Sequence, residues 1–164
     1  MKSKYSTKEI VLTGLGIAIV FVATMYIRVP NAISGYFNLG DGFILLFSSF
    51  LPPLPAFLVG GVGSSLADLI GYPVYFFPTL IIKGLEAVIV SCLFKKYSKK
   101  AQIPAYLLGS VVMIFGYFVT KSILKGSVAV ALTGIPGNVV QAGAGLVIAF
   151  LAYPLLAKIL KKNK

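Results

Sequence analysis

One hydrophobic segment that carries charge limits the folds open to this chain more than any other feature. It runs from Pro78 to Phe94 and reads PTLIIKGLEAVIVSCLF. It nearly reaches the length of about 20 apolar residues that a helix needs to span a bilayer core. Lys83 and Glu86 lie three residues apart within it, on one helix face. Because a charge at the bilayer centre costs about 2.5–3.5 kcal/mol, we expect the pair to face protein or a wet cavity, near the Pro78 end.

The composition extends this interpretation to the whole chain. Hydrophobic residues make up 58% of it and the mean hydropathy is +0.95, whereas soluble domains are about 45–50% apolar. We therefore predict an all-α integral membrane protein, a single domain over residues 1–164 that forms a bundle of six transmembrane helices. The predicted spans are Ile10–Ile27, Gly42–Leu51, Ala56–Ile70, Pro78–Phe94, Ile103–Ile123 and Ile135 to about Leu160.

The distribution of basic residues predicts the orientation. The net charge is +11, but the lysines cluster before the first span, between Lys95 and Lys100, and at the end of the chain. Cytoplasmic loops of membrane proteins carry such an excess of lysine and arginine, so this pattern indicates cytoplasmic termini and argues against nucleic acid as the partner. Only Arg28, Lys121 and Lys125 fall on the predicted outer side. Histidine is absent and Cys92 is the only cysteine, so no internal disulfide is possible, and we predict neither a cofactor nor a metal site.

Polar residues near the predicted outer ends of the helices are the candidate ligand contacts. Asn138 and Gln141 are three residues apart on one helix face and offer either ligand contacts or hydrogen bonds between helices. Asp41 precedes a short apolar helix, where it suits an N-cap better than a ligand contact. Asp68 is expected to pair with Lys83 or Arg28.

The loop from Gly71 to Phe77 is rich in aromatic residues. Tyr75 and Phe76 lie in it, beside Tyr72 and Phe77. Aromatic side chains form belts at the membrane–water interface, and they also stack on flat ligands. Both interpretations remain open for this loop.

Small residues mark two close helix contacts. Gly60/Ser64 and Gly61/Ser65 are overlapping pairs with a spacing of four, which predicts that the third span lies at the centre of the bundle. Gly14, Ala18 and Val22 form a stripe along the first span. This stripe either packs against the protein's own helices or receives an external partner.

Four pieces of the sequence resemble one family in order and spacing. They are NLGD at Asn38–Asp41, GGVGSSLAD at Gly60–Asp68, PTLIIKGLE at Pro78–Glu86 and IPGNVVQ at Ile135–Gln141. The string is similar to the substrate-binding S components of energy-coupling factor (ECF) vitamin transporters, most of all to the riboflavin-transporter-like group. The likeness covers nearly the whole chain.

The resemblance implies a protein of the bacterial plasma membrane that captures a water-soluble vitamin or precursor, of riboflavin, pyridoxine or hydroxymethylpyrimidine type, from outside. It implies a transmembrane coupling subunit and two cytoplasmic ATPases as partners. It also implies that a small-residue motif on the first helix contacts the coupling subunit. In this chain Gly14 and Ala18 stand where the family has two alanines. The substrate contacts expected are Asn38, Asp41, Tyr75, Phe76, Lys83, Glu86, Asn138 and Gln141.

Two other functions fit parts of the sequence. A stand-alone carrier driven by an ion gradient could use Lys83 and Glu86 as a proton relay. An intramembrane aspartyl protease would need two carboxylates that share a proton, and Asp41 and Asp68 are available. The chain has no phosphate-binding loop, because no Gly-Lys-Ser/Thr follows the glycines at Gly60–Gly63, so any ATP dependence must come from partners. We expect a non-enzymatic binding subunit.

Overall fold

The computed structural model describes residues 5–31 and 35–162, and the side chains of residues 5–27 and 38–161. Within that part, the chain is helical apart from one β-hairpin. The elements are α1 (Thr7–Tyr26), β1 (Arg28–Asn31), β2 (Gly35–Asn38), α2 (Gly40–Ser48), α3 (Pro53–Phe57), a π-helical turn (Leu58–Val62), α4 (Gly63–Gly71), a 3-10 turn (Pro73–Tyr75), α5 (Phe76–Tyr97), a 3-10 turn (Ser98–Ala101), α6 (Gln102–Lys125), α7 (Val128–Leu132) and α8 (Ile135–Lys162).

The helix boundaries follow local sequence signals. Ser6 caps α1 and forms a reciprocal capping box with Glu9. Pro136 occupies the first turn of α8, where the missing N–H of proline costs nothing. The helical class and the positions of all six predicted segments are confirmed to within a few residues.

Within the described residues, four continuous helical stretches are long and apolar enough to cross a membrane: Thr7–Tyr26, Pro53–Gly71, Pro73–Lys125 and Val128–Lys161. The third contains both α5, of 22 residues, and α6, of 24 residues, and each of these is long enough to span a bilayer. Helix α2 has only nine residues, which at about 1.5 Å per residue cannot cross a core about 30 Å thick. The predicted count of six spans is therefore not confirmed by the described residues.

Both ends of the described chain lie at the same end of the bundle. The Lys8 ammonium, at the start of α1, donates a hydrogen bond to the Leu160 carbonyl at the end of α8, at 2.6 Å. The Lys99 ammonium lies 5.8 Å from the centre of the Tyr153 ring, so the basic loop between α5 and α6 meets the same end. Lys2, Lys4 and Lys164 are outside the described residues. This arrangement agrees with the predicted orientation, which itself stays a prediction.

The stretch Pro53–Gly71 packs directly on α5, as its glycines predict. A Cβ atom added at Gly60 would overlap the Lys83 carbonyl oxygen, and one at Gly61 would lie 2.7 Å from the Leu80 carbonyl oxygen. Both glycines are buried, together with Ser64. Only glycine permits backbones to approach this closely, so α5 is held against the π-helical turn just beside Lys83.

The segment between α1 and α2 differs from the prediction. The proline, asparagines, serine and glycines of Arg28–Gly40 predict a loop rather than a continuous helix, but β1 and β2 form an antiparallel hairpin in which Val29 pairs with Phe37 and Arg28 with Asn38. The absence of a continuous helix at this point is as predicted. The backbone N–H and C=O groups of this short segment are satisfied by hydrogen bonds between β1 and β2. Strand β2 ends just before the start of α2.

Candidate functional site

Lys83 lies at the centre of a buried cluster of charged and polar side chains. Its ammonium pairs with the Asp41 carboxylate of α2 and with Glu86 Oε2, at 3.0 Å, one turn along α5. The exposed fraction is 2% for Lys83 and 1% each for Asp41 and Glu86. The predicted Lys83–Glu86 pair therefore forms away from lipid, and it gains Asp41 as a third member.

Gln141 of α8 connects this charged cluster to the hairpin. Its amide nitrogen donates to Asp41 Oδ2 at 2.9 Å. Its amide oxygen accepts from the Asn38 backbone N–H at 3.1 Å and from Asn38 Nδ2 at 3.4 Å. A continuous path of hydrogen bonds thus runs from the end of β2 through Gln141 and Asp41 to Lys83 and Glu86.

Small residues bring α8 close enough to α2 to make these bonds. A Cβ atom at Gly145 would lie 2.9 Å from the Asp41 Cβ, and one at Gly42 would lie 2.6 Å from Ile148. Gln141 and Gly145 are four residues apart, and so they lie on the same face of α8. Because Gly145 has no side chain, Asp41 can approach α8 closely enough to accept a hydrogen bond from the Gln141 amide, one helical turn away.

A second polar group lies beside the first. Thr79 donates to Asp68 Oδ2 at 2.6 Å, and the Tyr117 hydroxyl lies 2.9 Å from the same Thr79 oxygen. The Tyr117 ring centre is 5.6 Å from the Lys83 ammonium, a distance at which ring and cation attract. Sequence reasoning missed Tyr117 and Thr79, although a tyrosine within an otherwise aliphatic span was an available signal.

The structure corrects the prediction for Asp41. Asp41 lies inside the first turn of α2, whose N-cap is Leu39, and no side chain caps that position. Instead Asn38 Oδ1 accepts from the Gly40 N–H at 2.8 Å, an Asx-type turn that satisfies a free donor at the helix start. Because Asn38 makes this contact at the helix start, the Asp41 carboxylate is available to bind Lys83 and Gln141.

Asp68 belongs to the Thr79 group, while Lys83 pairs with Asp41 and Glu86. The predicted alternative partner of Asp68, the Arg28 side chain, is outside the described side chains. Among the described side chains, Asp41 is bonded to Lys83 and Gln141 and Asp68 accepts from Thr79, which differs from the pair of carboxylates sharing a proton that a protease needs.

Three predicted contacts lie outside the hydrogen-bonded cluster. Asn138 is half-buried on α8, and its side chain makes no hydrogen bond within the described part of the chain. Tyr75 and Phe76 are half-buried at the start of α5, and the Phe76 ring stands edge-on to Phe77 at 5.0 Å between ring centres. Their contribution to ligand binding stays a prediction.

The stripe on α1 faces away from the bundle. Gly14 and Ala18 are exposed, Val22 is 50% exposed, and a Cβ atom at Gly14 would meet nothing within 4 Å. The opposite face carries the buried residues of α1, which are Thr13, Gly16, Val20, Ala23 and Thr24. Of the two interpretations of the stripe, packing within its own bundle is wrong for this structure.

The cluster is suited to binding rather than to chemistry. It offers an ammonium, carboxylates and an amide in a site shielded from water, where each polar contact is stronger than at a surface. The residues described contain no group of three or more His, Cys, Asp or Glu side chains that could hold a metal ion. One oxygen of Glu86, Oε1, is buried without a hydrogen-bond partner in the part of the chain that the structure describes.

Comparison with known proteins assigns the chain to a family. The family model of the ECF-type riboflavin transporter S component matches residues 4–162. A protein of Pyrococcus woesei, described as an uncharacterized protein in the gap 3′ region, is 40% identical over 131 residues, which is 79% of this chain and 88% of that protein. A UPF0397 protein of Leuconostoc citreum is 25% identical over 147 residues, which is 89% of this chain and 71% of that one.

A solved structure has the same fold. It is described as "Structure and mechanism of the S component of a bacterial ECF transporter", and it superimposes with a TM-score of 0.76 at 23% identity, over 94% of this chain and 98% of the other. The family match, which extends over nearly the whole sequence, is the stronger finding. The chain therefore belongs to the ECF-type riboflavin transporter S component family, and it is a multi-pass membrane, substrate-binding subunit of a transporter, not an enzyme.

Proposed function

We propose that this subunit captures a water-soluble vitamin or vitamin precursor from the outer side of the plasma membrane, as one domain over residues 1–164. The observation that carries the proposal is the buried path of polar contacts from Asn38 through Gln141 and Asp41 to Lys83 and Glu86. Ionisable residues inside a membrane are costly and mark substrate pathways. A small polar heterocycle would replace part of this network with its own hydrogen bonds.

The position of the cluster supports access from the hairpin side. Lys83 is seven residues from the start of α5 at Phe76, about 10 Å at 1.5 Å per residue. The lysine-rich loop lies at the other end of α5, where Lys95 and Lys96 fall in its last turn. If the lysine-rich end is cytoplasmic, then the cluster, the hairpin and the aromatic Tyr75 and Phe76 lie toward the outside.

Delivery across the membrane is proposed to require partners. A transmembrane coupling subunit would dock on the exposed stripe of Gly14, Ala18 and Val22, and two cytoplasmic ATPases would drive transport. Small residues allow another helix to approach closely, and the open space beside Gly14 supports such a contact.

The test measures binding and uptake separately. The purified subunit in detergent is screened by thermal shift against riboflavin, pyridoxine and hydroxymethylpyrimidine, since a bound ligand raises apparent stability by mass action. The compound that binds is then offered to liposomes that hold the subunit alone or the subunit with a coupling module and ATP. The proposal expects uptake only with the module. Uptake by the single chain along an ion gradient would reject the proposal in favour of a secondary carrier.

A further inference from the structure

The charge balance of the buried cluster points to the chemical class of the ligand. Building on the proposed function, we propose that Glu86 receives a positively charged or amino-bearing group of the ligand, so that the subunit takes a nitrogen heterocycle with such a group and rejects carboxylates. Glu86 is then a specificity-determining residue. The inference adds a charge requirement that the proposed function by itself does not contain.

The first argument is a count of charges. The chain has only four acidic residues, and Glu9 is used in the capping box of α1. Asp68 is set aside, because it belongs to the Thr79 group. The remaining acids, Asp41 and Glu86, face the single ammonium of Lys83. Among the described side chains, this buried cluster therefore sets two carboxyl groups against one ammonium.

The second argument is the unequal use of the carboxylate oxygens. Both oxygens of Asp41 are bonded, one to Lys83 and one to Gln141. Glu86 Oε2 is bonded to Lys83, but Glu86 Oε1 is buried and has no hydrogen-bond partner among the described residues. A buried charged oxygen without a donor is unfavourable. A ligand that brings an N–H group to this oxygen removes that penalty, and a cationic group also places a positive charge beside the second carboxyl group of the cluster.

The third argument concerns anionic ligands. The ammonium of Lys83, the cation that an incoming carboxylate would seek, already holds two carboxylates and lies 5.6 Å from the centre of the Tyr117 ring. An acid entering the cluster would add a third carboxyl group beside a single ammonium. Like charges in a buried site repel strongly, and so the cluster should discriminate against acids by charge rather than by size.

Matched ions test this requirement before the natural ligand is identified. Benzamidine and benzoate are planar ions of similar shape and opposite charge, and pyridoxamine and 4-pyridoxic acid carry an aminomethyl and a carboxyl group on the same ring. Each is titrated against the purified protein in non-ionic detergent, with unfolding temperature as the readout. The proposal expects the cation of each pair to stabilise more strongly. Non-specific attraction to a chain of charge +11 would favour the acids, so it cannot produce this result.

The Glu86→Gln variant tests the residue itself, because it removes the charge and keeps the shape. The proposal expects the affinity for the cationic probe to fall by about 10-fold or more, as for loss of a hydrogen bond to a charged group. The control is Glu9→Gln, the same change in the capping box, which should leave the affinity unchanged. Equal stabilisation by both members of the pairs, stabilisation by neither, or an unchanged preference in Glu86→Gln would overturn the proposal.

Three further outcomes distinguish the proposed site from the charge requirement. If Glu86→Gln does not fold, the comparison of cation with acid on the native chain decides the question alone. If a cation binds but Gln141→Ala leaves its affinity unchanged, then the ligand does not occupy this cluster, which rejects the proposed site and this inference together. If binding depends on Gln141 but the acid is preferred, then only the charge requirement fails.

Discussion

At the scale of single residues, the buried ammonium of Lys83 is the main electrostatic feature of the bundle interior. Its ammonium is buried between two carboxylates, and removal of one partner from a buried ion pair typically costs about 3–5 kcal/mol because the other charge is left uncompensated. Replacement of a whole buried ionic group by neutral residues is often far less harmful. The cluster is therefore expected to matter more for function than for stability.

Lys83→Met tests this balance. The variant leaves Asp41 and Glu86 buried without their cation, and we expect the free energy of unfolding to fall by about 3–5 kcal/mol. In the triple variant Asp41→Asn, Lys83→Met, Glu86→Gln, no charge remains to be compensated, and most of that loss should be recovered. Denaturant unfolding in detergent measures both. A single variant as stable as the triple one would contradict this account of the cluster.

The sequence predicted the local part of this site and missed the part set by tertiary packing. Lys83 and Glu86 are three residues apart, so helix geometry alone brings them together. Asp41 and Lys83 are 42 residues apart and Gln141 and Asp41 are 100 apart, and their contact depends on how α2, α5 and α8 pack. For the same reason Tyr117, on α6, was not recognised.

At the scale of elements, the glycines of the π-helical turn hold α5 in place. A Cβ atom at Gly60 would overlap a backbone carbonyl, that of Lys83. A backbone atom has little freedom to yield, so the neighbouring helix as a whole would have to shift. The position of the Lys83 side chain therefore depends on a contact made by the backbone of the same residue.

Gly60→Ala should destabilise the protein by about 1–3 kcal/mol, the usual cost of overpacking, and should also weaken ligand binding because α5 is displaced. Gly143→Ala is the matched control, since a Cβ atom there meets nothing within 4 Å. Thermal unfolding of both variants gives the comparison. Equal stability of the two would show that α5 does not approach these glycines closely enough to exclude a methyl group.

The same substitution is expected to have opposite effects on the two faces of α1. Ala18 is exposed and Ala23 is 3% exposed. Ala18→Trp should keep ligand affinity and stability, yet fail to co-purify with the coupling subunit and fail to support uptake, because a large side chain prevents close helix approach. Ala23→Trp should overpack the bundle and lower its stability. Normal co-purification and uptake with Ala18→Trp would reject docking on this face.

At the scale of the whole molecule, the order of helices was readable from hydropathy and the connection between the first two was not. The segments from Thr7 to Tyr26 and from Ile135 to Lys162 are long apolar runs whose ends carry capping or proline signals. The hairpin of β1 and β2 has a proline, Pro30, and lacks clean alternation of polar and apolar residues, the signal by which strands are recognised. Helix α2 is shorter than its apolar run because prolines 52 and 53 follow it.

Labelling of single cysteines tests the orientation. In a Cys92→Ser background, cysteines at Val74 and Ser127 should react with an impermeant reagent from outside, and a cysteine at Ser98 should not. Val74 is 59% exposed and Ser98 is exposed, so burial does not explain a difference between them. A third predicted outer position, Ser34, is outside the described residues. Labelling of Ser98→Cys in intact cells would show that the orientation is the opposite of the predicted one.

The central claim, that the buried cluster is the ligand site, is tested most directly by the affinity of one ligand for two neighbouring variants of α8. Gln141→Ala removes the link between Asn38 and Asp41, while Val140→Ala changes an adjacent residue that is 55% exposed. By titration calorimetry in detergent, Gln141→Ala should weaken binding by about 1–3 kcal/mol, the cost of leaving buried polar groups unsatisfied, and Val140→Ala should bind as the native chain does. Native affinity in a well-folded Gln141→Ala protein would contradict the account.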